Sequence, residues 1–420
     1  MHRRLRTAVN VLFGAVAVAG VGLSVWSVVA QVSDLRARSE SGERIEAGCD
    51  GLVDPGRVLG LNGGIDRAVT SAHLGEITDR QVTCVVYRGG DPGTTYGHFA
   101  LTLTAHRADP ADPDFVGSGV IVDDRPFERG RGGVDEDTTV ADSAVPHPLG
   151  DGALGEYGSH RVTARALCAD GGRNSSVEAS AITGYPDPTT SEDRRTLAAL
   201  ARQAVERAAV KRGCSAELPA LPAEFPEPTT ALRPAAEAGG TCAWYGRLIA
   251  AEGRGSLPDR ALAAPAGKAS AHDACLLALS EDEAVRIWPA YERTTESPRD
   301  IAMVLSLSPL WMKTETLVGD STRDVRTGLP SRTGIRPGTA GTDALAWWAS
   351  SVCDGRPALH LMQVSHPYDS MLRDRLEPFF RAYVDDATGR RGCTGVTFPE
   401  AESARDRVPA RWVRVVTGGG

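Results

Sequence analysis

The residues in this 420-residue chain whose type and spacing could do chemistry are its eight cysteines. They form two quartets, Cys49, Cys84, Cys168 and Cys214, then Cys242, Cys275, Cys353 and Cys393, with gaps of 35, 84 and 46 residues in the first and 33, 78 and 40 in the second. No CxxC pair and no clustered Cys/His spacing is present, which disfavours zinc. The chemistry that remains is oxidative pairing, and disulfides persist only in an oxidising compartment. Four cysteines per quartet leave three connectivities open. Sequential pairing is the preferred one, because Cys168 and Cys353 each end a predicted strand while Cys214 and Cys393 each follow a predicted helix.

Other reactive residue types lack a productive pattern. There is no nucleophile elbow, HExxH, phosphate-cradling GxxxxGK[ST] or SxxK set. Val116-Gly117-Ser118-Gly119 has the wrong spacing for an elbow, Gly130-Arg131-Gly132-Gly133 lacks the preceding strand a dinucleotide site needs, and Gly267-Lys268-Ala269 lacks the magnesium-holding hydroxyl. The histidines His73, His98, His106, His147, His160, His272, His360 and His366 are scattered. Asp109, Asp112 and Asp114, Asp123 and Asp124, and Asp135, Glu136 and Asp137 carry calcium-type oxygens without EF-hand spacing, and read as solvated loops. No catalytic, cofactor or metal residue is assigned. Trp347-Trp348 alternates across a predicted strand, so one ring enters the core and the other is the candidate contact surface.

The elements that must position the cysteines are legible in a stretch used twice. Arg194 to Cys214 returns as Arg373 to Cys393, and eight of the twenty-one paired positions are identical, among them Leu197/Leu376, Val205/Val384, Gly213/Gly392 and Cys214/Cys393. Leu197, Leu200, Ala201, Ala204, Val205 and Ala208 recur at helical spacing, as do Leu376, Phe379, Phe380, Tyr383 and Val384. Glycine after two basic residues suits a helix end in both copies. Strands are predicted at 81–88, 99–106, 120–122, 160–168 and 176–183, then at 274–279, within 301–318, and at 344–353 and 358–365. The fold class is therefore α+β: two tandem homologous domains, each an antiparallel sheet with a packed C-terminal helix and two disulfides.

Around this pair the chain divides further. Residues 1–7 carry Arg3, Arg4 and Arg6, and residues 8–30 form an apolar run of about 34 Å as a helix, long enough for a hydrocarbon core of about 30 Å. The run predicts a transmembrane helix with a cytoplasmic N-terminus and everything after it outside; a cleaved signal peptide is the rival reading. Residues 31–47 read as a stalk, 48–217 as the first extracellular domain, 218–238 as a proline-rich linker, 239–402 as the second domain and 403–420 as a tail. The net charge of −8 excludes a nucleic-acid surface.

Cys49-Asp50-Gly51-Leu52, followed by the Val82-Thr83-Cys84-Val85-Val86 strand, resembles the paired-cysteine pattern of actinobacterial extracytoplasmic, lipoprotein-like domains of unknown function. The chain departs from that pattern by carrying a spanning segment where a lipobox would stand. The resemblance implies an envelope-facing α+β domain and assigns no activity. The expected function is a non-catalytic binding or interaction protein at the outer membrane face, with a protein or envelope ligand. The alternatives are an envelope-acting hydrolase with its site in the glycine-rich loops 123–158 and 319–341, or a structural subunit.

Overall fold

A computed structural model of the chain describes residues 26–71, 82–89, 97–107, 121–122, 126–127, 140–141, 143–169, 174–185, 187–294, 310–323, 325–327, 334–343, 346–365 and 368–400. The first sheet is built from β1 (Ala68–Ser71), β2 (Val82–Arg88), β3 (Phe99–Arg107), β5 (His147–Pro148), β6 (Gly155–Tyr157), β7 (Arg161–Leu167) and β8 (Asn174–Thr183), in the order β1-β2-β3-β8-β7-β6-β5. The second contains β9 (Arg233–Pro234), β10 (Arg260–Ala263), β11 (His272–Leu279), β12 (Leu310–Val318), β14 (Gly341–Asp343), β15 (Ala346–Cys353) and β16 (Arg356–Val364), with β17 (Thr394–Thr397) against β15. Its order, read from the other edge, is β9-β10-β11-β12-β16-β15-β14. Strands β1, β2, β3, β8, β7 and β6 therefore correspond in sequence to β10, β11, β12, β16, β15 and β14. The duplication seen in the helices extends to the topology of both antiparallel sheets.

The repeated helices are α3 (Ser191–Lys211) and α7 (Arg373–Arg391). Thr190 caps α3 by accepting from the Asp193 backbone N–H at 3.1 Å, and the Asp193 carboxylate accepts in return from the Thr190 N–H at 3.4 Å. Both helices close the same way: Gly213 and Gly392 take φ of 63° and 62°, and the next residue donates back, Cys214 to the Ala209 carbonyl and Cys393 to that of Thr388, each at 2.9 Å. Six positions are buried in matching register, Leu197/Leu376, Leu200/Phe379, Ala201/Phe380, Ala204/Tyr383, Val205/Val384 and Ala208/Ala387. Each stripe faces the side of its sheet that carries Cys84, Val86, Phe99 and Leu101 in the first unit and Cys275, Leu277, Met312 and Met362 in the second.

All four bonds are sequential: Cys49–Cys84, Cys168–Cys214, Cys242–Cys275 and Cys353–Cys393. Cys168–Cys214 and Cys353–Cys393 tie the ends of β7 and β15 to the ends of α3 and α7. The other two fasten the residues before α2 (Pro55–Gly60) and α4 (Ala243–Glu252) to β2 and β11.

Several expectations are corrected. Residues 31–47 are not a loose stalk: residues 26–48 form one helix, α1, whose last turns enter the first core through Ile45 and Ser41. The Ser41 hydroxyl, 2.7 Å from the Ala37 carbonyl of its own helix and 3.1 Å from that of Asp66, accepts from the Ala68 N–H at 2.9 Å, so the helix seats against the edge strand β1. Among the described residues no helix is long and apolar enough to cross a membrane; residues 8–25 of the apolar run lie outside them. The segment 218–238 is not a free spacer either. Leu218, Leu221 and Phe225 pack on the first core and Leu232 on the second, because proline fixes an extended backbone whose carbonyls still accept, as Pro219 does from Arg202 at 3.2 Å. Thr394–Thr397, for which no element is predicted, forms β17 and adds a strand beside β15.

The predicted 120–122 strand exists as β4 (Ile121–Val122), but it pairs in parallel with β13 (Arg326–Thr327) of the other unit. The glycine-rich loops are likewise drawn inward. Phe127, Ala141 and Val145 of the first unit cover Leu262, Ala274, Leu276 and Ala278 on the second sheet's outer face, while Val325 and Ile335 cover Leu317, Leu359 and Leu361 beside them. Gly152, at φ 95°, lies so close to Ser270 that a Cβ there would collide with it.

Two stability outcomes are expected. Because they hold the same buried position, Leu197→Ala and Leu376→Ala each cost about 2–5 kcal/mol. Replacing Cys353 and Cys393 with serine opens a 40-residue loop and costs about 3–4 kcal/mol in the chain-entropy account. Urea unfolding midpoints measure both; a neutral Leu376→Ala beside a costly Leu197→Ala would break the equivalence of the copies.

Candidate functional site

A cluster of buried charged side chains lies at the junction of the two units. His272, at the start of β11, places Nε2 3.1 Å from Glu315 of β12 and Nδ1 3.3 Å from Glu156 of β6 in the other unit. Lys313 Nζ lies 3.0 Å from Glu315, and the Gln363 amide of β16 donates to the second Glu315 oxygen at 3.4 Å. Beside them Arg165 of β7 donates to Glu178 at 2.8 Å and to the Ser321 hydroxyl of the second unit at 2.6 Å. Alternation explains the gathering: His272, Lys313, Glu315 and Gln363 sit on the sheet face away from α7, where the first unit docks.

Burial alone pushes His272 down, but Glu156 and Glu315 outweigh it and raise the imidazole to about 10. Burial pushes Glu315 up, yet Lys313 and His272 hold the carboxyl at about 2. With both ring nitrogens donating to carboxylates, His272 is a fixed cation and has no lone pair for general-base work. The cluster is a clamp between the units.

A second polar chain runs through the second core. The Ser351 hydroxyl lies 2.8 Å from His360 Nε2, His360 Nδ1 lies 3.2 Å from the Thr316 hydroxyl, and Thr316 lies 2.6 Å from the Tyr383 hydroxyl on α7. The pair has nucleophile-to-base spacing, but the third member is a threonine where a carboxylate is required. Ser351 and His360 are closed off under the helix, and burial with Arg391 and Arg390 pulls His360 down to about 4. The chain satisfies core polar groups and offers no route to substrate.

An open groove of about 760 Å³ lies elsewhere, between the first turns of α1 and the edge strand β1. The last turns of α1 touch the sheet and the first turns stand clear of it. Val28, Val29 and Val32 line one end, with Trp26 and Leu35 exposed nearby at 70% and 66%. Arg36, Arg44 and Arg67 line the rest with a single carboxylate, Glu40, which Arg44 pairs at 3.3 Å. Arg36 and Arg67 have no ion-pair partner among the described residues.

The cysteines stand where the sequence places them, and none is free. The exposed tryptophan does not: Trp347 packs on Phe380 at 5.9 Å, and Trp348 lies half-buried against Gly341 under the Val325–Ile335 cover. The alternation holds, but the outer face it points to is occupied. Ser118, Gly130-Arg131-Gly132-Gly133 and the acidic groups at Asp109–Asp114, Asp123–Asp124 and Asp135–Asp137 lie outside the described residues. Among the described residues no group of three or more His, Cys, Asp or Glu side chains is placed to hold a metal ion. The His272 clamp escaped sequence reasoning because its members come from four strands of two units; the groove escaped it because residues 31–47 carry too few apolar positions to announce a helix. No family model, curated protein or solved structure matches this chain.

The protonation states set a stability profile. His272 is raised, so its contribution is complete below pH 6.5 and is lost as pH rises through about 10. Burial lowers His98 and His147, and His360 reaches about 4, so their contribution is present above 6.5 and is lost as pH falls toward 4. Thermal stability should peak near pH 6.5. His272→Ala removes one partner of a buried cluster, costs about 3–5 kcal/mol and flattens the alkaline limb. An unchanged alkaline limb in that variant, followed by calorimetry, refutes the clamp.

Proposed function

We propose that the chain is a non-catalytic, membrane-anchored extracytoplasmic binding protein whose two-unit body is held rigidly beside the bilayer. The observation that carries this reading is α1. Its described part begins at Trp26, within the apolar run, exposes Trp26, Val28, Val29, Val32 and Leu35, and ends in the first core next to the Cys49–Cys84 bond. Contiguous exposed apolar side chains call for a non-aqueous partner, and the run at 8–30 supplies the adjoining membrane segment. Four disulfides agree with an oxidising space beyond the membrane. The binding reading is preferred over an enzyme because the glycine-rich loops, where a hydrolase site was expected, contribute Phe127, Val145, Val325 and Ile335 to packing.

Expressed at full length in a bacterial host, the protein should sediment with membranes after alkaline carbonate extraction. Protease added to intact spheroplasts should digest the body, and mass spectrometry should find a peptide spanning Ala30 and Gln31. Recovery in the carbonate-soluble fraction, with a mature N-terminus at Gln31, would sink the anchor and leave a secreted protein.

A further inference from the structure

We infer that the groove between α1 and β1 seats an anionic membrane lipid, with its phosphate on Arg36 and Arg67 and its acyl chains along the valines of α1; this inference rests on the anchored reading above. The order of the lining carries it. Along α1 the lining is apolar at Val28, Val29 and Val32, and basic from Arg36 onward. Val28 and Arg36 are about 12 Å apart along the helix axis. If the apolar run lies in the bilayer, the valines stand at acyl depth and the arginines at the level of the phosphates, where guanidinium groups bind them bidentately.

The charge balance favours the same occupant. Three arginines face one carboxylate, and that carboxylate is taken by Arg44, which also donates to the Ala68 carbonyl at 3.4 Å. Arg38, on another side of α1, is paired with Asp66 at 3.6 Å, so the uncommitted cations are those on the groove. Arg67 is held in place from behind. Its carbonyl accepts from the Gly89 N–H at 2.7 Å, and a Cβ at position 89 would come within 2.8 Å of the Arg67 Cβ, so the absence of a side chain there lets the strands close up beneath it. The mouth is open and half apolar, a shape suited to a chain entering from the side, and Val69 on the exposed edge of β1 continues the apolar wall.

The test uses the full chain, purified in a neutral detergent and examined by native mass spectrometry after incubation with phosphatidylglycerol or phosphatidylcholine. Phosphatidylglycerol should be retained in preference, and soluble glycerol phosphate should not displace it. Arg36→Gln together with Arg67→Gln should weaken retention about thirty-fold, the effect of two cations at an anionic surface. Val32→Asp, an exposed position that leaves the core untouched, should weaken it as well. Arg195→Gln, which removes one positive charge from helix α3, outside the groove lining, should not. Equal retention of the two lipids, or retention unaffected by the groove variants, overturns the proposal even where carbonate extraction upholds the anchor. A change of oligomeric state in the groove variants without a change in lipid retention overturns it in favour of a second copy. Should carbonate release the protein, the anchor fails, and flotation with phosphatidylglycerol vesicles decides the groove separately: floating that depends on Arg36 and Arg67 supports it, and no floating overturns it.

Discussion

Glu315 is a carboxylate sealed in a sheet, and the relation between the two units depends on what keeps it ionised. Removing such a charge from water costs several kcal/mol unless donors surround it. Lys313 and Gln363 supply two donors from the same sheet, and His272 supplies the third. His272 is held charged by Glu315 together with Glu156, which faces its second nitrogen from the other unit. A shift of the first unit along this face would leave His272 with one carboxylate and would part Glu156 from His272. The cluster thus penalises every docking register but one, a discrimination that apolar contacts such as Phe127 on Leu276 do not make alone.

A sheet has two faces, and a single packed helix covers one. In the second unit the uncovered face is rich in Leu276, Leu317, Leu359 and Leu361, and segments from both units close over it. In the first unit the corresponding face is polar, with Thr83 and Thr102 facing each other at 3.3 Å, Thr163 and Ser180 at 2.7 Å, and the Arg165–Glu178 pair. The copies have diverged from equivalence into complementarity. The helices diverged in step: where α3 has Ala201 and Ala204, α7 has Phe380 and Tyr383, and the added volume is met by Trp244 of α4, 5.4 Å from Tyr383 and 5.0 Å from Phe379. The first core is completed instead by Ile45 of α1 with Leu52, Val58 and Leu59.

What the sequence made legible was whatever is repeated or local. The two repeated helices, the long strands from β2 to β16 and the sequential disulfides follow from periodicity and from where each cysteine falls on its element. The short strands β1, β10 and β14 were not legible, because three or four residues carry too little pattern to stand out. Residues 31–47 read as solvated because only Ser41 and Ile45 of that stretch are buried, one position per turn. The proline-rich segment read as a spacer because composition describes backbone stiffness and says nothing of the carbonyls that Arg202 and Tyr157 find there. The junction was invisible for a simpler reason: Glu156 and His272 are 116 residues apart.

The seating of α1 changes what an anchor of this kind does. A flexible stalk would let the body sample many heights and tilts above a bilayer, and a groove on it would meet lipid only part of the time. Here the Ser41 hydroxyl lies against the Asp66 carbonyl and accepts from the Ala68 N–H at the start of β1, Gly48 packs so close to Thr70 that an added Cβ would come within 2.9 Å of the Thr70 Cβ, and Cys49 is covalently joined to β2. Each of these constraints acts within the last two turns of the helix, so the direction in which the first turns leave the sheet is fixed by the core. A membrane segment continuous with those turns would set the tilt of the first sheet. Through the His272 clamp it would set the tilt of the second as well. On such a body the arginines of the groove stand at one depth relative to the valines that precede them.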